Sequence, residues 1–234
     1  MLTSNPVKVR ISTVKRKPVR VDKMSGLAKR WTTVASIDLL SRIAEPSLNA
    51  IVCRRSLSPD IARFAEAWMS LKAGSTKVTV DTLGRVALPI ELQGHNGAAE
   101  FRLDVRRLVN AFRSATGAQH VTASLEVVTS DRCKKFHVDY KGIRLVCSYA
   151  GPGTEWVDDH AVRREHLCKD DTCFDSANAR IVPRASSIQR ALAGDVVLLK
   201  GEGFPGNTGR GVVHRSPSVE KLSLRRLVLT LDEG

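Results

Sequence analysis

Beyond residue 120 the sequence breaks into apolar-rich runs of five to eight residues, each cut off by glycine, proline or polar residues. Runs this short have the length of strands, not helices, and a chain that turns so often buries them in a barrel or sandwich. The clearest is VTASLEVV (121–128), where Val121, Ala123, Leu125 and Val127 alternate onto one face. Further strands are expected at 133–139, 143–149, 154–158, 195–200, 211–215 and 224–231, with Gly151-Pro152-Gly153 and Gly203-Phe204-Pro205-Gly206 as turns. The polar stretch 160–194 reads as an excursion with one short helix near 186–193.

Ahead of these strands the period changes. SIDLLSRIAEPS (36–47) reads as a short helix ended by Pro46, and 49–54 as a strand. Ser58-Pro59-Asp60 opens a second helix, with Ser58 as cap and Pro59 at the first helical position. Ile61, Phe64, Ala65, Trp68 and Leu71 recur there at helical spacing. Two short strands are expected around Leu83-Gly84. A longer helix over 99–116 presents Phe101, Val105, Leu108, Val109 and Phe112 and stops at Gly117. The reading is α+β: a single domain over 32–234, with helix-rich 32–118 packed outside a β-barrel core formed by 119–234.

The charge of +13 is unevenly placed. Residues 1–31 hold nine Lys/Arg against one acid, leaving +5 for the other 203 residues. This stretch lacks an apolar period and reads as a disordered basic tail, able at most to make weak, non-specific contact with nucleic acid. With 5% aromatic residues and no recognition motif, a dedicated nucleic-acid binder is not indicated. No run approaches the roughly 20 apolar residues of a membrane span, and no apolar region follows the early charges as in a secretory leader. A cytoplasmic protein with no membrane partner is expected, and its five cysteines, an odd number, are expected to be reduced thiols.

Three positions carry metal chemistry. On a strand, His137 and Asp139 project to the same face, close enough for an imidazole nitrogen and a carboxylate oxygen to reach one cation. An isolated His-x-Asp is usually a surface pair. His214, in another strand-like run 77 residues on, changes the balance, because two histidines and one carboxylate with open positions is the set used by non-haem Fe(II) oxygenases. Arg226, with Val228 and Thr230 on its strand face, suits a carboxylate ligand; the plain alternative is a solvated arginine paired with Asp232 or Glu220. Arg225 and Lys200 are reserves for that role. Tyr149, Glu155 and Trp156 flank the Gly151 turn and, with Arg144, are candidate pocket residues. Cys133-x3-His137 and His166-x-Cys168-x4-Cys173 form a less regular set for structural zinc.

The blocks RCKKFHVDYKGIRLVCSYAGPGTEWV (132–157), DVVLLKGE (195–202), GRGVVHRSP (209–217) and RLVLTLD (226–232), with NAIVCRRSLSP (49–59), resemble the bacterial domain of unknown function 1826. The resemblance spans about 35–232. It is associated with zinc homeostasis and implies no defined activity. More distantly the chain is similar to the double-stranded β-helix (jelly roll) of cupins and 2-oxoglutarate-dependent oxygenases. That similarity implies a metal triad of His137, Asp139 and His214, with Arg226 near the place of the 2-oxoglutarate-binding basic residue; Tyr149 and Lys200 are further candidates for cofactor contact. The small hydroxyl residue usual two positions after the arginine is Val228 here. The expectation is a dioxygenase-like protein using Fe(II) and 2-oxoglutarate on a small-molecule or protein substrate. The alternative is a non-catalytic zinc-binding protein.

Overall fold

The computed structural model describes residues 29–71, 77–167 and 173–233. The basic stretch therefore lies outside the described residues up to position 28, as does Cys168. Its last residue, Trp31, opens a strand. In chain order the elements are β1 (Trp31–Val34), β2 (Ala50–Cys53), α1 (Pro59–Ser70), β3 (Lys77–Val80), α2 (Ala98–Thr116), β4 (Val121–Val128), β5 (Ile143–Ala150), β6 (Glu155–Val157), α3 (Phe174–Ile181), β7 (Ile188–Arg190), β8 (Val196–Lys200), β9 (Val213–Arg215) and β10 (Arg226–Glu233). A 3-10 helix over Ile37–Ala44 stands where a short α-helix was expected, capped by Ser36.

The strands form two sheets. One runs β1-β2-β8-β5-β10-β4-β3 and the other β7-β6-β9. In the larger sheet β1 and β2 pair in parallel and the remaining neighbours antiparallel. No ladder among the described residues joins the two sheets into a closed barrel. The division at residue 118 is not a structural seam either, because β1, β2 and β3 belong to the larger sheet.

Alternation along the strands gives that sheet two different faces. Leu125, Val127, Leu145, Cys147, Leu198, Leu229 and Leu231 share a core with Phe64 and Trp68 of α1 and Phe101, Leu108 and Phe112 of α2. Each such side chain stabilises the fold by about 1.5–3 kcal/mol when fully buried. The helices start and stop for local reasons. Ser58 Oγ accepts the Ile61 N–H at 3.2 Å, and Gly117 takes φ +73° to end α2. On the other face Ala50, Val52, Val197 and Leu199 pack against Trp156 and Val212 of the smaller sheet's side. The smaller sheet's outer side is closed by Phe136, Ile181 and Val182 against Val157 and Val213.

Three expectations are corrected. Residues 133–139 form no strand: a single bridge, His137 to His214, ties this segment to β9. The second strand near Gly84 is likewise one bridge, Val80 to Val86. The helix expected near 186–193 is a 3-10 turn (Ala185–Ser187) followed by β7, and the excursion's helix is α3 instead. Phe174, Ala177 and Ile181 do recur there at helical spacing. Among the described residues Cys53, Cys133, Cys147 and Cys173 are free thiols, and no helix is long and apolar enough to cross a membrane.

Candidate metal centre

His214 sits in the middle of β9, directly opposite Trp156 of β6, and so faces the larger sheet. His137 is its bridge partner on the far side: each residue's N–H donates to the other's carbonyl at 3.0 Å. Asp139 follows two residues later, its carbonyl held by the Glu202 N–H at 2.8 Å. One ligand atom from each of His137, Asp139 and His214 lies within 4.8 Å of the others, and this is the one such cluster among the described residues. The imidazole centroids are 4.6 Å apart.

The protons are assigned by the neighbours. His137 Nδ1 is 2.8 Å from the Lys135 carbonyl and His214 Nδ1 is 3.0 Å from the Val212 carbonyl. A carbonyl only accepts, so each Nδ1 carries hydrogen and each Nε2 keeps the lone pair that ligates a metal. His214 Nε2 lies 3.4 Å from Asp139 Oδ2, a buried oxygen that also has Arg144 Nη1 at 2.9 Å. An imidazole nitrogen and a carboxylate oxygen this close share a proton or a metal ion. The donor set thus fits a divalent cation.

Arg144 holds the carboxylate. Its Nη1 lies 2.9 Å from both Asp139 oxygens, while Nε and Nη2 grip Asp232 at 2.7 and 2.9 Å. Burial works against ionisation of Asp139, but the His214 imidazole and the Arg144 guanidinium outweigh it and set its pKa at about 2. Burial first, then repulsion from His214, holds His137 below the ordinary histidine value, which favours the neutral, metal-binding form.

The remaining sequence-derived candidates divide by sheet face. Arg226 is 2% exposed on the face turned to the smaller sheet, with Nη2 on Ser148 Oγ at 3.0 Å and Nε unpartnered. Burial brings its guanidinium down to about 10, opposed only by the charge of Glu155. Neither Asp232 nor Glu220 pairs with it: Asp232 serves Arg144. Glu155 itself binds Arg190 at 2.6 Å and Arg215 at 2.7 Å. Trp156 packs between the sheets. Tyr149 and Lys200 are on the helix-covered face. The Tyr149 hydroxyl donates to Asp104 at 2.7 Å and Lys200 Nζ to the Glu45 carbonyl at 3.0 Å, so neither faces the triad. Arg225 reaches the carbonyls of Met69 and Leu71.

Two contributors to the site carry no sequence signal. Asn178 of α3 binds the backbone just before His137. Asp131 ties the same loop to residues 218–220. Both are single polar residues whose backbone partners are more than 40 positions away.

Architecture and site together define an α+β protein of two sheets with a His/Asp/His cluster suited to a metal ion. The chain belongs to the family described as protein of unknown function, DUF1826, which it matches over residues 35–232. No curated protein matches it. Among solved structures it is similar to a rice dioxygenase for auxin oxidation, at 12% identity and TM-score 0.46, covering 88% of this chain and 83% of that one. A Pseudomonas putida prolyl-4-hydroxylase gives 11% identity and TM-score 0.43, with 84% and 96% covered. The Fe(II)/(alpha)ketoglutarate-dependent dioxygenase TqaL gives 11% identity and TM-score 0.44, with 84% and 85% covered. All three likenesses are distant.

Proposed function

We propose that this protein is an Fe(II)-dependent oxygenase of double-stranded β-helix architecture that uses 2-oxoglutarate, with His137, Asp139 and His214 holding the ion. The observation that carries the reading is the triad: three donor atoms from two separate chain segments within 4.8 Å, each imidazole with its Nδ1 on a backbone carbonyl. Two nitrogens and one carboxylate leave half of an octahedron open. When bound, iron supplies the oxidative chemistry with dioxygen and the keto acid. The chain's own residues do the holding. Arg144, with Nη1 2.9 Å from both Asp139 oxygens, holds the carboxylate in place beside the two imidazoles.

Arg226 supports the keto acid. A buried guanidinium with an unpartnered Nε and no carboxylate within ion-pair distance among the described residues is built to receive an anion. Val228 lacks the hydroxyl usual near that arginine, but Ser148, its register partner on β5, brings one to within 3.0 Å of Arg226. A closed structural zinc site takes four protein ligands, whereas the described cluster offers three, so the zinc-binding alternative has less behind it.

The test is optical. Adding 2-oxoglutarate to the anaerobic Fe(II)-loaded protein is expected to produce a visible charge-transfer band, abolished in His137→Ala. In Arg226→Ala the band is expected to need at least about tenfold more 2-oxoglutarate, equivalent to about 1.4 kcal/mol, with Fe(II) binding retained. No band in the wild type, and the same spectrum in His137→Ala, would discard the assignment.

A further inference from the structure

The segment that carries His137 lacks a strand's usual support, having one bridge to β9 in place of a ladder. Its other side faces α3. Asn178, in the second turn of that helix and 7% exposed, turns its amide onto the segment's backbone. Oδ1 accepts the Phe136 N–H at 2.8 Å and Nδ2 donates to the Lys134 carbonyl at 2.9 Å. A primary amide offers the same donor and acceptor as a peptide group, so this one side chain stands in for a neighbouring strand.

What lies between those two contacts gives them their consequence. Lys135 is bracketed by the residues Asn178 holds, and its carbonyl is the acceptor for His137 Nδ1 at 2.8 Å. The chain of contacts runs from the Asn178 amide, through the peptides on either side of Lys135, to the proton on His137 Nδ1. That proton determines which ring nitrogen is left for a metal. Groups one shell out from a ligand orient it and fix its tautomer, and their loss typically weakens metal binding about 10- to 100-fold. His214 needs no such device, since β9 is paired with β6 on its other side.

We propose that Asn178 is a positioning residue for the metal ligand His137, acting by fixing the Lys135 carbonyl. The proposal rests on the triad's role as the metal site. The test uses the full chain in three forms: wild type, Asn178→Leu, which keeps volume but removes both hydrogen bonds, and Asn178→Asp, which keeps the acceptor for Phe136 and loses the donor for Lys134. Leu108→Ala, on the buried face of α2 and away from the segment, is the control for general destabilisation.

Cobalt(II) affinity is read from visible absorption and the two imidazole Nδ1–H signals from nitrogen-15 spectra of the metal-free protein. Asn178→Leu is expected to weaken cobalt about 10- to 100-fold and to lose the His137 Nδ1–H signal to solvent exchange while that of His214 persists. Asn178→Asp is expected to fall between, and it carries the test if the leucine variant does not fold. Leu108→Ala is expected to bind cobalt as the wild type does. Wild-type affinity with both signals intact in the Asn178 variants overturns the proposal, as does equal loss of both signals. If the wild type itself binds no cobalt, the metal assignment fails, and the imidazole signals still decide whether Asn178 governs His137.

Discussion

Asp131 gathers four donors: the N–H groups of Val219 and Glu220 at 2.8 and 2.9 Å, the Ser218 hydroxyl at 2.8 Å, and Lys134 Nζ at 3.1 Å. Burial disfavours its charge, but these hydrogen bonds outweigh that and hold its pKa below the usual carboxylate range. A depressed folded-state pKa contributes stability that is present above the unfolded value, about 3.9 for Asp, and is lost as pH falls through the folded one. Asp131→Asn is therefore expected to lower Tm by several degrees at pH 7, with the gap to wild type closing below about pH 4. Melting curves across that range check it; a gap that stays constant in acid would rule out the charge as its source. At this scale the triad was legible because ligand chemistry admits few residue types and the His-x-Asp spacing restricts them further. Asn178 and Asp131 were not, since an asparagine or aspartate in a polar stretch looks like any solvated residue until its distant partners are known.

Among the elements, β4 was readable to its ends because one face is buried and the other is not, so its alternation is clean. β8 and β9 were readable as apolar runs. The segment 133–139 misled because CKKFHVD alternates like a strand, yet Asn178 takes the hydrogen bonds a neighbouring strand would have made. The excursion misled in the opposite way: α3 has only three buried positions, too few to stand out from its polar surroundings. Gly201 illustrates a constraint that only packing reveals. A Cβ there would meet the carbonyl oxygens of Lys141 and Asp139 closer than real Cβ atoms approach. Gly201→Ala is expected to push the Asp139 backbone away and disturb the Glu202 N–H bond to it, weakening metal binding about tenfold or more by analogy with other groups that orient ligands. Gly94→Ala, with open space around the new atom, is the control expected to change neither metal binding nor Tm. Equal metal affinity in the two variants would show that Gly201 does not set the ligand's place.

For the molecule as a whole, the charge balance separates folding from association. Residues 1–28 contribute seven Lys/Arg and one acid, so nearly half of the +13 lies outside the described fold. Charge concentrated in such a stretch acts on polyanions through counterion release, steeply weakened by salt. Deleting residues 1–28 is expected to abolish binding to a single-stranded oligonucleotide at low salt, measured by fluorescence anisotropy, while leaving Tm and the metal-dependent spectrum unchanged. Tight binding by the truncated protein would place a nucleic-acid surface on the fold itself. The strand-rich second half was legible from strand length and punctuation, but its arrangement as two sheets that also take in β1, β2 and β3 was not. Nothing local in 50–53 announces that these residues pair with β8, more than 140 positions later, or in 31–34 that these pair in parallel with β2.

The lone rung between His137 and His214 has a practical corollary. A rung shared by two potential ligands makes an ion gripped by both rings a rivet across the one weakly stitched seam of the smaller sheet. Damage to the loop in front of it would then empty the rivet hole long before the leucine-rich core beneath the helices gave way. With an ion held there as proposed, metal stoichiometry would be the finer gauge of local injury, and a normal melting profile would be no certificate that the seam is sound.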